Sequence, residues 1–95
     1  MEQLVLSEQD IINAICIYVA RQKHATPEDV AAELVYDDED GFFAEAYVNE
    51  EKQVLAMPNL IEAIRLLLKE YLNQNPYAGI QLVLDDNEGI IAYIK

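Results

Sequence analysis

Two short acidic runs hold most of the side chains that could do chemistry. They are Asp37-Asp38-Glu39-Asp40 before Gly41, and Asp85-Asp86-Asn87-Glu88 before Gly89. Carboxylates at this density can supply oxygen ligands to a hard divalent cation, with Asp38, Asp40, Asp86 and Glu88 as the candidate ligands. An EF-hand loop needs an aspartate at its first position, five residues ahead of its glycine. That position holds Tyr36 in the first run and Leu84 in the second, so neither run is an EF-hand. Asp and Gly are also the residues that tight turns select for backbone reasons. Turn formation is therefore the first reading of both runs, and a looser site of carboxylates and carbonyls is the alternative.

The remaining reactive types are sparse. Cys16 and His24 are the single cysteine and the single histidine. On one helix they stand about 12 Å apart along the axis, too far for a nucleophile–base hydrogen bond. One of each cannot make a zinc site. Cys16 reads as an inert core or near-core thiol, and His24 as a residue at the C-terminal carbonyls of its helix. With three glycines in the chain there is no phosphate-cradling loop. No carboxylate pair stands out for acid–base work. No catalytic residue and no cofactor are expected.

Composition narrows the partners. The formal net charge is −12, from eighteen acids and six bases. Nucleic acid and anionic membrane surfaces are poor partners, because counterion release depends on Lys and Arg. A basic protein or a cation fits better. The longest apolar run, Ala14–Ala20, is far shorter than a membrane span. The start, MEQLVLSEQD, lacks the pattern of a signal peptide, and a lone cysteine permits no internal disulfide. The expectation is a soluble, cytoplasmic protein whose 95 residues form one domain, residues 1–95.

The elements that position these residues follow from periodicity. Ser7 is a good N-cap for a helix to about Lys23, with Ile11, Ile12, Ile15, Tyr18 and Val19 at helical spacing. Thr26-Pro27 opens at most one helical turn, and alternation then gives a strand over about 30–37. Further strands are expected at about 42–49, 53–57, 79–86 and 90–95. Pro58 is expected to end the third strand, and Asn59 to cap a second helix running to about Asn73. On that helix Leu60, Ile61, Ile64, Leu67, Leu68, Tyr71 and Leu72 make an apolar stripe, and Glu62, Arg65 and Lys69 lie on the wet face. Side-chain parity fixes how each hairpin closes. The expected pairs are Asp38 with Phe42 and Asp86 with Ile90, each enclosing three residues that end in a left-handed glycine.

The two acidic runs belong to a longer repeat. LVYDDEDGFFA, from Leu34, and LVLDDNEGIIA, from Leu82, share six of eleven residues. Upstream, Ile12-Asn13-Ala14-Ile15 matches Ile61-Glu62-Ala63-Ile64, and Thr26-Pro27 matches Asn75-Pro76. The expected architecture is α+β: a two-layer sandwich in the order α-β-β-β-α-β-β, with both helices on one face of an antiparallel sheet of about five strands. An internal α-β-β duplication would have units at about 8–49 and 59–95.

The segments EQDIINAICIY, YDDEDGF, NLIEAIRLLLKEYL and LDDNEGIIAYI resemble those of the YxcD-like proteins, a family of small uncharacterised bacterial proteins grouped as a domain of unknown function. The resemblance implies an intracellular bacterial protein of similar length, and it brings no activity or site residue with it.

Parity sends Val35, Phe43, Tyr47, Val83, Ile91 and Tyr93 to the sheet face away from the helices. A face open only to water would be more polar. The primary functional reading is a non-enzymatic interaction module that self-associates, as a homodimer, or binds a protein partner through this face. The alternative is a divalent-cation-binding protein using the acidic turns, and the third reading is a small enzyme working in a groove between helices and sheet.

Overall fold

The structure, a computed structural model, describes residues 4–95. The first three residues of the opening stretch read above lie outside the described residues. The elements are β1 (Leu4–Leu6), α1 (Glu8–Lys23), a 3-10 turn (Pro27–Asp29), β2 (Ala31–Asp37), β3 (Gly41–Val48), β4 (Glu51–Leu55), α2 (Met57–Glu70), β5 (Ile80–Asp85) and β6 (Gly89–Ile94). The fold class is α+β, with two helices and two three-stranded antiparallel sheets, ordered β1-β6-β5 and β2-β3-β4.

The first helix begins as its sequence dictates. The Ser7 hydroxyl accepts from the Asp10 amide at 3.1 Å, and the Asp10 carboxylate accepts from the Ser7 amide at 3.0 Å, a reciprocal cap. The helix ends at His24, which is left-handed (φ 56°) and whose amide donates to the Ala20 carbonyl. The second helix differs from expectation. It starts at Met57, three residues earlier, with Ala56 rather than Asn59 at the N-cap, and it ends at Glu70. Pro58 sits in the first turn, where a missing N–H costs nothing, so it opens this helix instead of ending a strand. The strand before it accordingly moves to Glu51–Leu55.

The arrangement of strands also departs from the expected single sheet of five. β1 is an additional strand, and it pairs with β6. At three residues it is too short for alternation to register in the sequence. β4 pairs with β3, which leaves β2 and β5 as edges of separate sheets. Alternation decides which face a side chain takes, but it is silent on which strands become neighbours.

The order β1-α1-β2-β3 recurs as β4-α2-β5-β6. Leu6 stands opposite Ala92 in one sheet and Leu55 opposite Ala44 in the other. Leu6 and Leu55 are 49 apart in sequence (6 to 55), and Ala44 and Ala92 are 48 apart (44 to 92), which are the spacings of the sequence repeat. The first strand of each half therefore completes the sheet of the other half's hairpin, in matching register.

The helices show the same correspondence. Ile11, Ala14, Ile15 and Val19 of α1 are fully buried, as are Leu60, Ala63, Ile64 and Leu68 of α2, each pair 49 apart (11 to 60, for example). The helices pack on each other, α1 packs on β2, β3 and β6, and α2 packs on β3 and β4. Together with the inward rows Leu34, Ala44, Ala46, Val48 and Leu6, Leu82, Ala92, Ile94, they enclose one core.

Both hairpins close in a register two residues away from the expected one: Phe42 stands opposite Tyr36 rather than Asp38, and Ile90 opposite Leu84 rather than Asp86. The terminal pairs are Asp37 with Gly41 and Asp85 with Gly89, so the loops are Asp38-Glu39-Asp40 and Asp86-Asn87-Glu88. Asp37 accepts from the Glu39 amide at 2.7 Å, and Asp85 accepts from the Asn87 and Glu88 amides at 2.8 and 2.9 Å. The aspartate side chain supplies the turn bond that a longer ladder would otherwise provide. Face parity is unchanged, and both glycines have the expected positive φ, 74° and 78°. Gly41→Ala and Gly89→Ala should each lower stability by about 1–2 kcal/mol in urea unfolding, since a side chain in the left-handed region is strained. Tyr36 and Leu84 are exposed although they share a face with the buried Leu34 and Leu82, and Tyr36 packs on Phe42 with ring centroids 4.9 Å apart.

Candidate functional site

Three features could serve function: the acidic tips, the outward sheet faces and the grooves beside the helices. At the tips, Asp38 and Asp40 lie in one loop and Asp86 and Glu88 in the other. Among the described residues, no three His, Cys, Asp or Glu side chains gather as a cation site. The flanking Asp85 already has a role, and the amides of Asn87 and then Glu88 hold its carboxyl below the usual carboxylate range.

On the outward face of β2-β3-β4, Val35 stands opposite Phe43, Glu33 opposite Glu45, and Glu45 opposite Val54. Tyr47 and Val54 are exposed, Val54 to 56%. Val35 and Phe43 are half-buried. Phe42, Phe43, Val54 and Met57 line an open groove of about 430 Å³. The Glu45 carboxylate pairs with Lys52 at 2.7 Å, and it raises the pKa of that ammonium. On the other sheet, Tyr93 lies between Val5 and Gln81, and Val83 stands opposite Ile91. Val5 is exposed, while Val83 and Tyr93 are half-buried. Ile91 is 6% exposed and so drops out of the expected contact surface. It belongs to β6, the central strand of its sheet, which has neighbours on both sides.

Met57 escapes the sequence reading because the expected second helix begins three residues later, and Val54 because the third strand carries no in–out assignment there. Val5 was missed together with its strand. The signal that could have found Val5 is the repeat itself, since Val5-Leu6 matches Val54-Leu55 at the spacing that joins the two helices.

The helices carry a pair of related grooves. One, of about 510 Å³, lies among Tyr18 and Arg21 of α1, Arg65 and Lys69 of α2, and Pro76-Tyr77 of the following loop. The Tyr18 hydroxyl donates to Glu62 Oε2 at 2.8 Å, and burial, followed by this bond, raises its pKa. Arg21 donates to both oxygens of Glu70, at 2.6 and 2.8 Å, and this fork holds the Glu70 carboxyl low. The other groove, of about 470 Å³, is lined by Asn13, Cys16, Ile17, Pro27, Glu28 and Leu67 among others. Its members are the repeat counterparts of the first, with Pro27 for Pro76, Ile17 for Leu66 and Cys16 for Arg65. The Cys16 thiol lies 3.5 Å from the Val30 carbonyl, and burial raises its pKa, as suits an unreactive thiol. Neither groove was legible beforehand, because each is assembled from both helices and a loop.

Among the described residues, no helix is long and apolar enough to cross a membrane. A comparison with known proteins agrees with the resemblance carried by the four sequence segments. The family described as "Protein of unknown function (DUF2653)" matches residues 1–87. The chain is 36% identical over 94 residues to "Uncharacterized protein YxcD" of Bacillus subtilis (strain 168), an alignment that covers 97% of this chain and 92% of that protein. No solved structure matches. With its hairpins, caps and helices placed and a full-length relative of this similarity, the chain belongs to the DUF2653 family of proteins of unknown function.

Proposed function

We propose that this protein is a non-enzymatic, cytoplasmic interaction module, and that its partner is a second copy docking on the outward face of β2-β3-β4. The observation that carries this reading is the apolar groove where Phe43 and Val54 of the outward face meet Met57 at the start of α2. An apolar patch of this kind, rimmed by polar side chains, is what contact surfaces expose. Self-association must overcome a net charge of −12. Locally the obstacle is smaller, because Lys52 neutralises Glu45 in the middle of the face. The two halves also offer similar outward faces, with Val35 and Val83 at equivalent positions (35 to 83) and Val5 and Val54 likewise (5 to 54). We read the halves as copies of one ancestral unit.

Sedimentation equilibrium tests the proposal. The native protein should sediment as a dimer. Tyr47→Lys and Val54→Lys, both at exposed positions, should weaken the dimer at least about tenfold, as truncation of contact anchors does, with unchanged circular dichroism. Phe43→Lys should act in the same direction. A native protein that stays monomeric at about millimolar concentration, or a dimer indifferent to these lysines, overturns it.

A further inference from the structure

The larger of the two grooves beside the helices has an electrostatic character at odds with the rest of the chain. The protein has six basic residues against eighteen acids, and Arg21, Arg65 and Lys69 line this one groove. Arg65 and Lys69 are four residues apart on α2, so they project from the same face. Two carboxylates stand near them. Glu62, one turn before Arg65, lines the groove as a single negative charge and accepts the Tyr18 hydroxyl at 2.8 Å, so the two cations of Arg65 and Lys69 outweigh it. Glu70 is held by both guanidinium nitrogens of Arg21. Among the described residues, neither Arg65 nor Lys69 forms an ion pair or a side-chain hydrogen bond.

The counterpart groove provides an internal control. In the repeat, the place of Arg65 is taken by Cys16, that of Tyr77 by Glu28 and that of Tyr18 by Leu67, all of which line the counterpart groove, while that of Lys69 is taken by the buried Ala20. Scaffold, proline and volume are similar, but the positive charge is present on one side only, and the counterpart has one aromatic ring, Tyr71, where the first groove has Tyr18 and Tyr77. Maintaining the fold explains what the two grooves share, and it does not explain this difference. Tyr77 is 84% exposed at the rim, a large apolar ring left in water. Leu66 and Pro76 complete an apolar wall, and a volume of about 510 Å³ falls in the range of small-ligand clefts.

We infer that the groove between Tyr18, Arg65, Lys69 and Tyr77 binds a small organic anion, an aromatic or apolar body carrying one carboxylate or phosphate. The anionic group sits between the Arg65 guanidinium and the Lys69 ammonium, and the body lies against Leu66, Pro76 and the Tyr77 ring. The site is separate from the outward sheet face and does not depend on self-association.

Amide-resolved NMR titration of the full chain tests this, with 1-naphthoate and 1-naphthyl phosphate as probes. Neutral 1-naphthalenemethanol and inorganic phosphate serve as controls. Saturable shifts are expected at Arg65, Leu66, Lys69 and Tyr77 with Kd near about 1 mM or below, and none at Cys16 or Glu28. The stronger of the two probes identifies the anionic group. The charge-reversed variant Arg65→Glu/Lys69→Glu, changed only at exposed positions, should weaken both probes at least about tenfold, and Tyr77→Ala should weaken them while leaving the fold intact. The inference is overturned if neither probe saturates below about 10 mM, if the neutral alcohol binds as well as the anions, if inorganic phosphate matches them, or if charge reversal leaves their affinity unchanged.

Discussion

Leu6→Ala should destabilise the protein by about 3 kcal/mol, the middle of the range for a buried leucine truncated in a core that cannot fully collapse. For a domain of this size that corresponds to a fall in Tm on the order of 10–25 °C. Leu55→Ala should behave alike. Both side chains are buried to 2% exposure or less, and each stands opposite a fully buried alanine, Ala92 for Leu6 and Ala44 for Leu55. The alanine faces leave the space that the leucines fill, so nothing larger is at hand to close the cavity. The location of the damage is more informative than its size. Leu6 lies in β1, which pairs with β6 of the other half. Amide exchange in Leu6→Ala should therefore quicken along β6 before it does so along β2 and β3. In Leu55→Ala it should quicken along β3 before β5 and β6. Loss of protection confined to the hairpin of the mutated half would contradict the strand exchange between halves.

Ile15→Ala and Ile64→Ala should be comparably damaging, at about 2–5 kcal/mol each in urea unfolding. The two residues occupy the same place in the repeat (15 to 64), and both are fully buried in helices packed against each other. Neighbours three residues away provide the contrast. Ile12 and Ile61 are only half-buried, and their truncation should cost markedly less. A domain of this class has about 5–15 kcal/mol of total stability, so either core truncation should visibly raise the unfolded population at 37 °C. An Ile15→Ala cost no larger than that of Ile12→Ala would show that the buried stripe of the first helix is misplaced.

How much of this was legible in the sequence depended on the range of the interactions involved. The Ser7 cap, the turn at Pro27–Asp29, the left-handed glycines and the in–out parity of each strand are local, and local residue chemistry specifies them. The hairpin register differs by two residues because the sequence does not show that Asp37 and Asp85 cap the turn with their side chains as well as closing the ladder. Pro58 was ambiguous for a similar reason, since a proline can follow a strand or open a helix. β1 and the division into two sheets depend on pairing between residues near opposite ends of the chain, and no short window contains that information. The outward face was legible through parity at Val35, Phe43, Tyr47, Val83 and Tyr93. Ile91 was not, because burial on a central strand is set by what lies on both sides of it. Arg65 and Lys69 were correctly placed on the wet side of their helix, but that placement left open that Tyr18 and Tyr77 stand beside them.

Isotope-filtered NOE spectroscopy on an equimolar mixture of labelled and unlabelled protein addresses the proposed interface most directly. Side chains of Phe43, Tyr47 and Val54 in one copy should show intermolecular contacts to the same face of the other, and those contacts should vanish in Val54→Lys. A spectrum at about millimolar protein with no intermolecular contacts, or with contacts confined to the helices or the acidic tips, would contradict association through the outward sheet face.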